Sequence, residues 1–140
     1  LLLDRMMIGS YRKLIGGDCD PLAIEMARKN LQEAQHVHLY AWNATSMPLE
    51  DHSATVVAAN LPFGRRVGSH EANVYLYPRL IEEMLRILQV GGRMVLLTQE
   101  VKLLYNSLKR YEDKISFEFD QAVEMGGLTP HIVCIKKLLD

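Results

Sequence analysis

The residues best suited to chemistry stand in the segment ANLPFG at positions 59–64. An aromatic amine is a weak nucleophile because its lone pair is delocalised into the ring. Two acceptors on its hydrogens favour a geometry in which the lone pair can attack, and the Asn60 side-chain oxygen and the Leu61 carbonyl could supply them. Pro62 would stiffen the turn, and Phe63 offers a flat surface on which an extruded base can stack. A plain loop of turn-forming residues is the alternative.

A second polar segment, GGDCDP at 16–21, is suited to binding a nucleoside. Asp18 could accept hydrogen bonds from both hydroxyls of a ribose, and the two glycines would let the sugar approach the backbone. The alternative is helix capping, which we favour for Asp20 because it directly precedes Pro21. Cys19 would lie against an adenine ring as a small, polarizable wall.

A third segment, WNA at 42–44, offers partners for an adenine ring. The Asn43 side-chain oxygen could accept from the exocyclic amine, while the Ala44 N–H donates to the ring. Taken alone, an ordinary Asx turn at Asn43 is the better interpretation. The predicted position of this segment, one helix and one strand after Asp18, makes the binding interpretation equally good.

The elements that must position these segments alternate between helix and strand. The apolar patterns predict helices at 1–11, 21–34, 76–88 and 101–111, and strands at 13–17, 36–41, 55–59, 93–98, 115–125 and 131–138. A polar loop at 64–73 precedes the third helix, and Gly91 and Gly92 are predicted to end it. Such alternation predicts an α/β fold with a mostly parallel sheet, finished by a C-terminal antiparallel hairpin. Ligands bind at the carboxyl ends of the strands in these sheets, where the three segments lie.

Composition narrows the class of protein. The 140 residues suit one domain, and the formal net charge of -1 provides no general attraction to nucleic acid. RNA binding would therefore need a local patch, for which Arg65, Arg66, His70 and Arg79 are candidates beside ordinary surface charge. Neither the two cysteines nor the five histidines show metal-ligand spacing, so we predict no metal and two buried thiols. Without an apolar run long enough to span a bilayer, we expect a soluble intracellular protein.

The order of these motifs resembles a known family. GGDCDP, then NAT, then ANLPFG, then a glycine pair before RMVLLTQ, is similar to the Rossmann-type methyltransferases that modify exocyclic amines. Within that group, NLPFGRRVGSHEANVYLYPRLIEEMLRIL resembles the catalytic domain of the THUMP-associated RNA guanosine-N2 methyltransferases, and the similarity covers nearly all of the chain. Leu61 and Phe63 replace the proline and tyrosine common in the wider motif, which argues against the adenine enzymes but does not by itself identify guanine.

The resemblance implies a Rossmann-like three-layer sandwich, S-adenosylmethionine as cofactor, and an RNA substrate. That RNA would be tRNA, with small nuclear RNA as an alternative, in the cytoplasm or nucleus; eukaryotic members also suggest a small zinc-binding activator subunit. The resemblance implies Asp18 at the cofactor ribose, Asn43 near the adenine, and residues 60–63 around the target amine. Together with the patterns above, we predict Asn60, Leu61, Pro62 and Phe63 for catalysis, Asp18, Cys19, Asn43, Ala44 and Asn60 for the cofactor, and Phe63, Arg65 and Arg66 for the substrate.

The family pattern also has a first strand and a glycine-rich acidic loop, which we expect before the helix at Leu1. The sequence therefore predicts a partial methyltransferase domain over 1–140. Three alternatives stay open: a non-catalytic shortened form, a methyltransferase for another amine such as adenine N6 or a glutamine amide, and a nicotinamide-dependent dehydrogenase. The terminal hairpin and the lack of a GxGxxG motif disfavour the dehydrogenase.

Overall fold

A computed structural model describes residues 1–32, 34–64 and 69–140. The chain divides into two compact units, Leu1–Met47 and Pro48–Asp140. Within the described residues, none of the helices has the length and apolar character needed to cross a membrane.

The first unit is a strand–helix–strand crossover that follows a short helix. Its elements are α1 (Leu2–Ile8), β1 (Leu14–Asp18), α2 (Pro21–Asn30) and β2 (Val37–Ala41). The two strands are parallel and in register from Leu14 opposite Val37 to Asp18 opposite Ala41. Both strands therefore end at the same edge, and Asp18 and the segment after Ala41 stand side by side, as the sequence predicted.

The second unit is a four-stranded mixed sheet with helices between its first strands. Its elements are β3 (Ala54–Asn60), α3 (His70–Ile87), β4 (Leu88–Thr98), α4 (Val101–Leu108) with a 3-10 turn at Lys109–Tyr111, β5 (Ile115–Ala122) and β6 (His131–Lys137). The strand order is β3-β4-β6-β5, with β3 parallel to β4 and the remaining pairs antiparallel. The parallel pairing and the terminal hairpin are both confirmed.

The core of the second unit lies where α3 packs against α4 and β4. Its fully buried apolar side chains come from β4 and β6 and from the two helices: Met94, Leu96, Val133 and Ile135 on the strands, with Tyr77, Ile81 and Leu104 on the helices. In β4 alternate residues are buried from Gly92 to Thr98, which is the pattern of a strand covered on one face, whereas three consecutive residues of β6, Val133 to Ile135, are buried.

The predicted limits of α3 are wrong at both ends. The helix begins at His70, inside the predicted loop, because the extended Ser69 caps it and its hydroxyl accepts from the Ala72 N–H at 3.2 Å. It ends at Ile87, before the glycine pair, because the fully buried Leu88 already has extended backbone angles, φ -78 and ψ 127. Gly91 and Gly92 consequently lie within β4, where the register with β3 shifts.

Candidate functional site

Asp18 is the last residue of β1, and its side chain is exposed. Its Oδ1 accepts from the Asp20 N–H at 2.9 Å, which leaves Oδ2 without a partner among the described residues. Asp20 caps α2 by accepting from the Leu22 N–H at 2.9 Å, so the predicted cap is confirmed. The two carboxylates thus differ, since Asp20 is committed to the helix whereas Asp18 offers one free oxygen.

Gly17 has a different role from the one that the sequence suggested. A Cβ atom at this position would collide with the Trp42 indole, which lies directly over the glycine backbone. The indole is also stacked on the Tyr40 ring, with the ring centroids 5.2 Å apart. In this structure glycine makes room for Trp42, and not for a sugar.

Asn43 adopts the Asx turn that the sequence left open. Its Oδ1 accepts from both the N–H and the hydroxyl of Thr45, at 3.0 and 2.9 Å. Both lone pairs of that oxygen are therefore engaged, and Nδ2 is the atom left for a ligand. The Ala44 N–H donates no hydrogen bond to another described residue. Cys19, in the turn after β1, is exposed, so the prediction of two buried thiols holds only for Cys134.

The second strand edge carries the segment 60–64, which we call the motif loop. Asn60 ends β3 with its side chain exposed. The Leu61 N–H donates to the Leu97 carbonyl at 2.9 Å, and the Leu61 side chain is buried, so this residue is anchored at two points. Among the described residues, neither the Asn60 side chain nor the Leu61 carbonyl has a hydrogen-bond partner. Both predicted acceptors are therefore available.

The Pro62 carbonyl, by contrast, accepts two hydrogen bonds from buried side chains of α3. Asn73 Nδ2 and the Tyr77 hydroxyl each donate to it at 2.9 Å, and both residues are fully buried. A tyrosine hydroxyl has one hydrogen, so the Thr98 hydroxyl, at 2.7 Å, must donate to Tyr77. Thr98 in turn accepts from the Glu100 N–H at 2.9 Å. These bonds form one directed chain that ends at the motif loop.

The pKa of Tyr77 fits its place in that chain. Burial is the main cause that raises it, to about 12, and outweighs the lowering effect of the hydrogen bond with Thr98. The hydroxyl therefore keeps its proton, and its hydrogen bond to the Pro62 carbonyl, at pH values well below its pKa.

Gly64 closes the motif loop with a left-handed backbone angle, φ +72. A Cβ atom there would lie 2.7 Å from Glu100 Oε1 and 3.1 Å from the backbone nitrogen of His70. The other Glu100 oxygen is 2.7 Å from His70 Nδ1, so this carboxylate is held between the loop and the start of α3. Only glycine fits this turn without a shift in its neighbours.

The remaining predicted site residues fall into different surroundings. Phe63, within the motif loop, is half-buried. Arg65 and Arg66 lie outside the described residues. His70 is paired with Glu100, and Arg79 is exposed on α3. Their contacts with RNA stay predictions.

Sequence reasoning missed the support beneath the motif loop. Of the two tyrosines near the start of α3, Tyr75 is 78% exposed whereas Tyr77 is fully buried. Asn73 and Tyr77 stand four residues apart and so share one face of α3, which is otherwise apolar. Two hydrogen-bonding residues at that spacing on a buried face were the signal that could have identified them.

With this geometry in view, similarity to known proteins is informative. The family model described as "RMKL-like, methyltransferase domain" matches residues 5–128. A mouse (Mus musculus) protein, tRNA (guanine(6)-N(2))-methyltransferase THUMP3, is 32% identical over 138 residues, which cover 88% of this chain and 27% of that protein. The tRNA (guanine(6)-N2)-methyltransferase of Thermus thermophilus is 28% identical over 137 residues, covering 94% of this chain and 39% of that protein.

The crystal structure of TrmN from Thermus thermophilus has a TM-score of 0.81 and 25% identity, covering 98% of this chain and 40% of TrmN. This likeness confirms the Rossmann-like methyltransferase fold. The chain spans 27% to 39% of the length of the two relatives above. The family match extends over most of the chain and includes both strand edges, and we conclude that the chain belongs to the family of RMKL-like methyltransferase domains.

Proposed function

We propose that the protein carrying this chain transfers a methyl group from S-adenosylmethionine to the exocyclic N2 amine of a guanosine in tRNA, inside the cell. The observation that carries the proposal is that Asn60 Oδ1 and the Leu61 carbonyl have no hydrogen-bond partner among the described residues, whereas the Leu61 N–H and the Pro62 carbonyl beside them are bonded. The relatives described above are named for tRNA and guanine, which supports this substrate. The proposal does not extend to small nuclear RNA or to a zinc-binding activator.

Residues of this chain orient the target amine for methyl transfer. Asn60 Oδ1 and the Leu61 carbonyl accept its two hydrogens, which favours a lone pair directed away from them. When bound, S-adenosylmethionine supplies a sulfonium methyl group, which leaves sulfur as the amine nitrogen bonds to it. The nitrogen must then lose one proton, and the exposed Asn60 side chain lies next to the solvent that can take it. Phe63 stacks against the base, and Arg65 and Arg66 contact RNA phosphates.

The first unit has atoms that suit the nucleoside part of the cofactor. Asp18 Oδ2 is free to accept from ribose hydroxyls. Asn43 Nδ2 and the Ala44 N–H can donate to adenine nitrogens, and the exposed Cys19 can contact the ring. Asn60, in the second unit, stays a prediction as a cofactor residue. These donors and acceptors match those of a nucleoside, so the residues present fit the cofactor.

Cofactor binding can be tested with the chain's own fluorophore. Trp42 is the single tryptophan of this sequence and precedes Asn43, so its emission should report a ligand at this edge. In a titration with S-adenosylhomocysteine, Asp18→Ala should weaken binding by about 1 to 3 kcal/mol, since a charge-assisted hydrogen bond is lost. Asp20→Ala, which removes the cap two residues away, is the matched control. An unchanged Kd in Asp18→Ala would remove this residue from the site.

The chemistry is tested by single-turnover transfer from labelled S-adenosylmethionine to tRNA, with the product nucleoside identified by mass spectrometry. The wild type should form N2-methylguanosine. Asn60→Ala should lower the rate constant far more than it alters the affinity for RNA or cofactor, because its bonds act on the reacting amine. The exposed Asn106 on α4 gives the matched control, Asn106→Ala.

Phe63→Ala should behave differently from Asn60→Ala. Loss of stacking should raise KM as well as slow turnover, at a cost of about 1 to 3 kcal/mol. Methylated adenosine as the product would contradict the guanine assignment. Full activity in Asn60→Ala would contradict the role of the motif loop, and no transfer by the wild type would favour a non-catalytic protein.

A further inference from the structure

The motif loop is shaped by side chains that do not themselves reach the substrate acceptors. The Pro62 carbonyl has two lone pairs, and both are used, one by Asn73 Nδ2 and one by the Tyr77 hydroxyl. Both donors come from the buried face of α3, and both residues have an exposure of 0%. Asn73 Nδ2 also lies 3.4 Å from Glu100 Oε1, and the Tyr77 hydroxyl also accepts from Thr98. A carbonyl held by two buried donors cannot turn away without breaking one hydrogen bond of each donor, which is costly in an environment without water.

We infer that Asn73 and Tyr77 are positioning residues for methyl transfer, which fix the Pro62 peptide and so keep the Asn60 side chain and the Leu61 carbonyl available to the target amine. The inference rests on the function proposed above. Neither residue touches the amine in this account; each acts through the backbone of the motif loop.

The restraints on either side of the Leu61 carbonyl support this role. Before it, the Leu61 N–H is bonded to β4 and the Leu61 side chain is buried. After it, the proline ring fixes φ, and the two donors fix the direction of the Pro62 carbonyl. Movement of the Leu61 carbonyl is therefore restricted from both sides.

Thr98 extends the same support to the end of β4. Its hydroxyl must donate to Tyr77, because the Tyr77 hydrogen is committed to Pro62. Its oxygen also accepts from the Glu100 N–H. The Thr98 hydroxyl thus fixes the orientation of the Tyr77 hydroxyl, so that a serine can replace it whereas a valine of similar shape cannot.

The test compares Tyr77→Phe, Asn73→Ala, Thr98→Val and Thr98→Ser in the natural protein that carries this sequence. Tyr77→Phe keeps the buried ring and removes only the hydroxyl. It should lower the single-turnover rate constant by about tenfold, with KM for tRNA and the Kd for S-adenosylhomocysteine within about twofold of the wild type. Thr98→Val should give a smaller decrease, and Thr98→Ser should restore the wild-type rate.

The matched control is Tyr105→Phe, which removes an exposed tyrosine hydroxyl that donates to Asp120 on the same unit. It should leave all three constants unchanged. Hydrogen exchange supplies a measurement independent of turnover, since the Leu61 amide should exchange about tenfold faster in Tyr77→Phe and Asn73→Ala than in Tyr105→Phe.

The outcomes separate this inference from the proposed function. If the wild type makes N2-methylguanosine and Tyr77→Phe keeps both the full rate constant and Leu61 protection, the positioning role is overturned. A rise in KM without a fall in the rate constant would also overturn it, as would equal rates in Thr98→Val and Thr98→Ser. Absence of product from the wild type would instead contradict the proposed function. Faster Leu61 exchange in the variants would then still show that Asn73 and Tyr77 hold the motif loop in place.

Discussion

The candidate residues lie at the carboxyl ends of strands in each unit, and these two edges, the first in Leu1–Met47 and the second in Pro48–Asp140, are held in different ways. At the first, Asp18 and Asn43 are fixed by backbone and side-chain groups two residues away. At the second, the Pro62 carbonyl is fixed by side chains 11 and 15 residues away, and Tyr77 by Thr98, 21 residues further along. The Asp18 and Asn43 side chains at the first edge are therefore held by local turns, whereas the second edge requires α3 and β4 to have folded. We expect the motif loop to be sensitive to the core of the second unit, and the nucleoside-binding groups of the first unit to depend mainly on their own turns.

The largest effect should come from the core of the second unit. Leu96→Ala removes a fully buried side chain of β4 and should lower the free energy of unfolding by about 2 to 5 kcal/mol. Leu22→Ala, on the 68% exposed side chain of α2 in the first unit, should cost less than about 0.5 kcal/mol. Urea denaturation followed by circular dichroism measures both.

The same pair of variants tests whether the motif loop depends on the core of the second unit. Leu96→Ala should speed exchange of the Leu61 amide, whereas Leu22→Ala should leave it unchanged. Equal destabilisation by the two substitutions would show that both units depend equally on their apolar contacts, and the contrast between the edges would be wrong.

A smaller effect is expected at the turn that closes the motif loop. Gly64→Ala requires a left-handed backbone and places a methyl group against Glu100 and the His70 backbone. We expect a loss of about 2 to 3 kcal/mol in stability, together with slower methyl transfer. Gly126, with φ +55 and open space around it, is the control, because Gly126→Ala carries the backbone cost without the collision. Equal effects on transfer from both variants would contradict a role for this turn.

The comparison also explains what could be predicted from the sequence. The strand edges, the cap at Asp20 and the positions of Asp18 and Asn60 follow from local patterns, and the structure agrees with them. The role of Gly17 and the support from Asn73, Tyr77 and Thr98 depend on residues distant in the chain. The i, i+4 spacing of Asn73 and Tyr77 marks a polar pair on an apolar helix face, but the sequence does not show which carbonyl the pair bonds, and a buried tyrosine is interpreted as packing unless its partner is known.

The local character of the first edge predicts a moderate effect at its helix cap. Asp20→Ala removes the acceptor for the Leu22 N–H and should destabilise the first unit by about 1 kcal/mol. Asp20→Asn keeps a capping oxygen and should be close to the wild type. Thermal unfolding followed by Trp42 fluorescence reports this unit, since the chain has one tryptophan. A lower unfolding midpoint in circular dichroism, with the midpoint from Trp42 fluorescence unchanged, would contradict a local role for the cap.

The smallest effect separates distance along the chain from burial. Arg93 and Glu118 are 25 residues apart and form two hydrogen bonds, at 2.6 and 3.0 Å, but the Arg93 side chain is 50% exposed. The hydrogen bonds from Arg93 hold the pKa of Glu118 below its ordinary value of 4.5. A lowered pKa in the folded state means that the pair stabilises the protein above about pH 4.5 and loses this contribution as the pH falls through the folded pKa.

Glu118→Gln should therefore be slightly less stable than the wild type at pH 6, with the difference shrinking towards pH 3. It should also shrink in high salt, because exposed pairs are screened. The exposed Glu112 gives the control Glu112→Gln. Urea titrations at each pH make the measurement, and a difference that stays constant with pH would show that Glu118 contributes through packing and not through its charge.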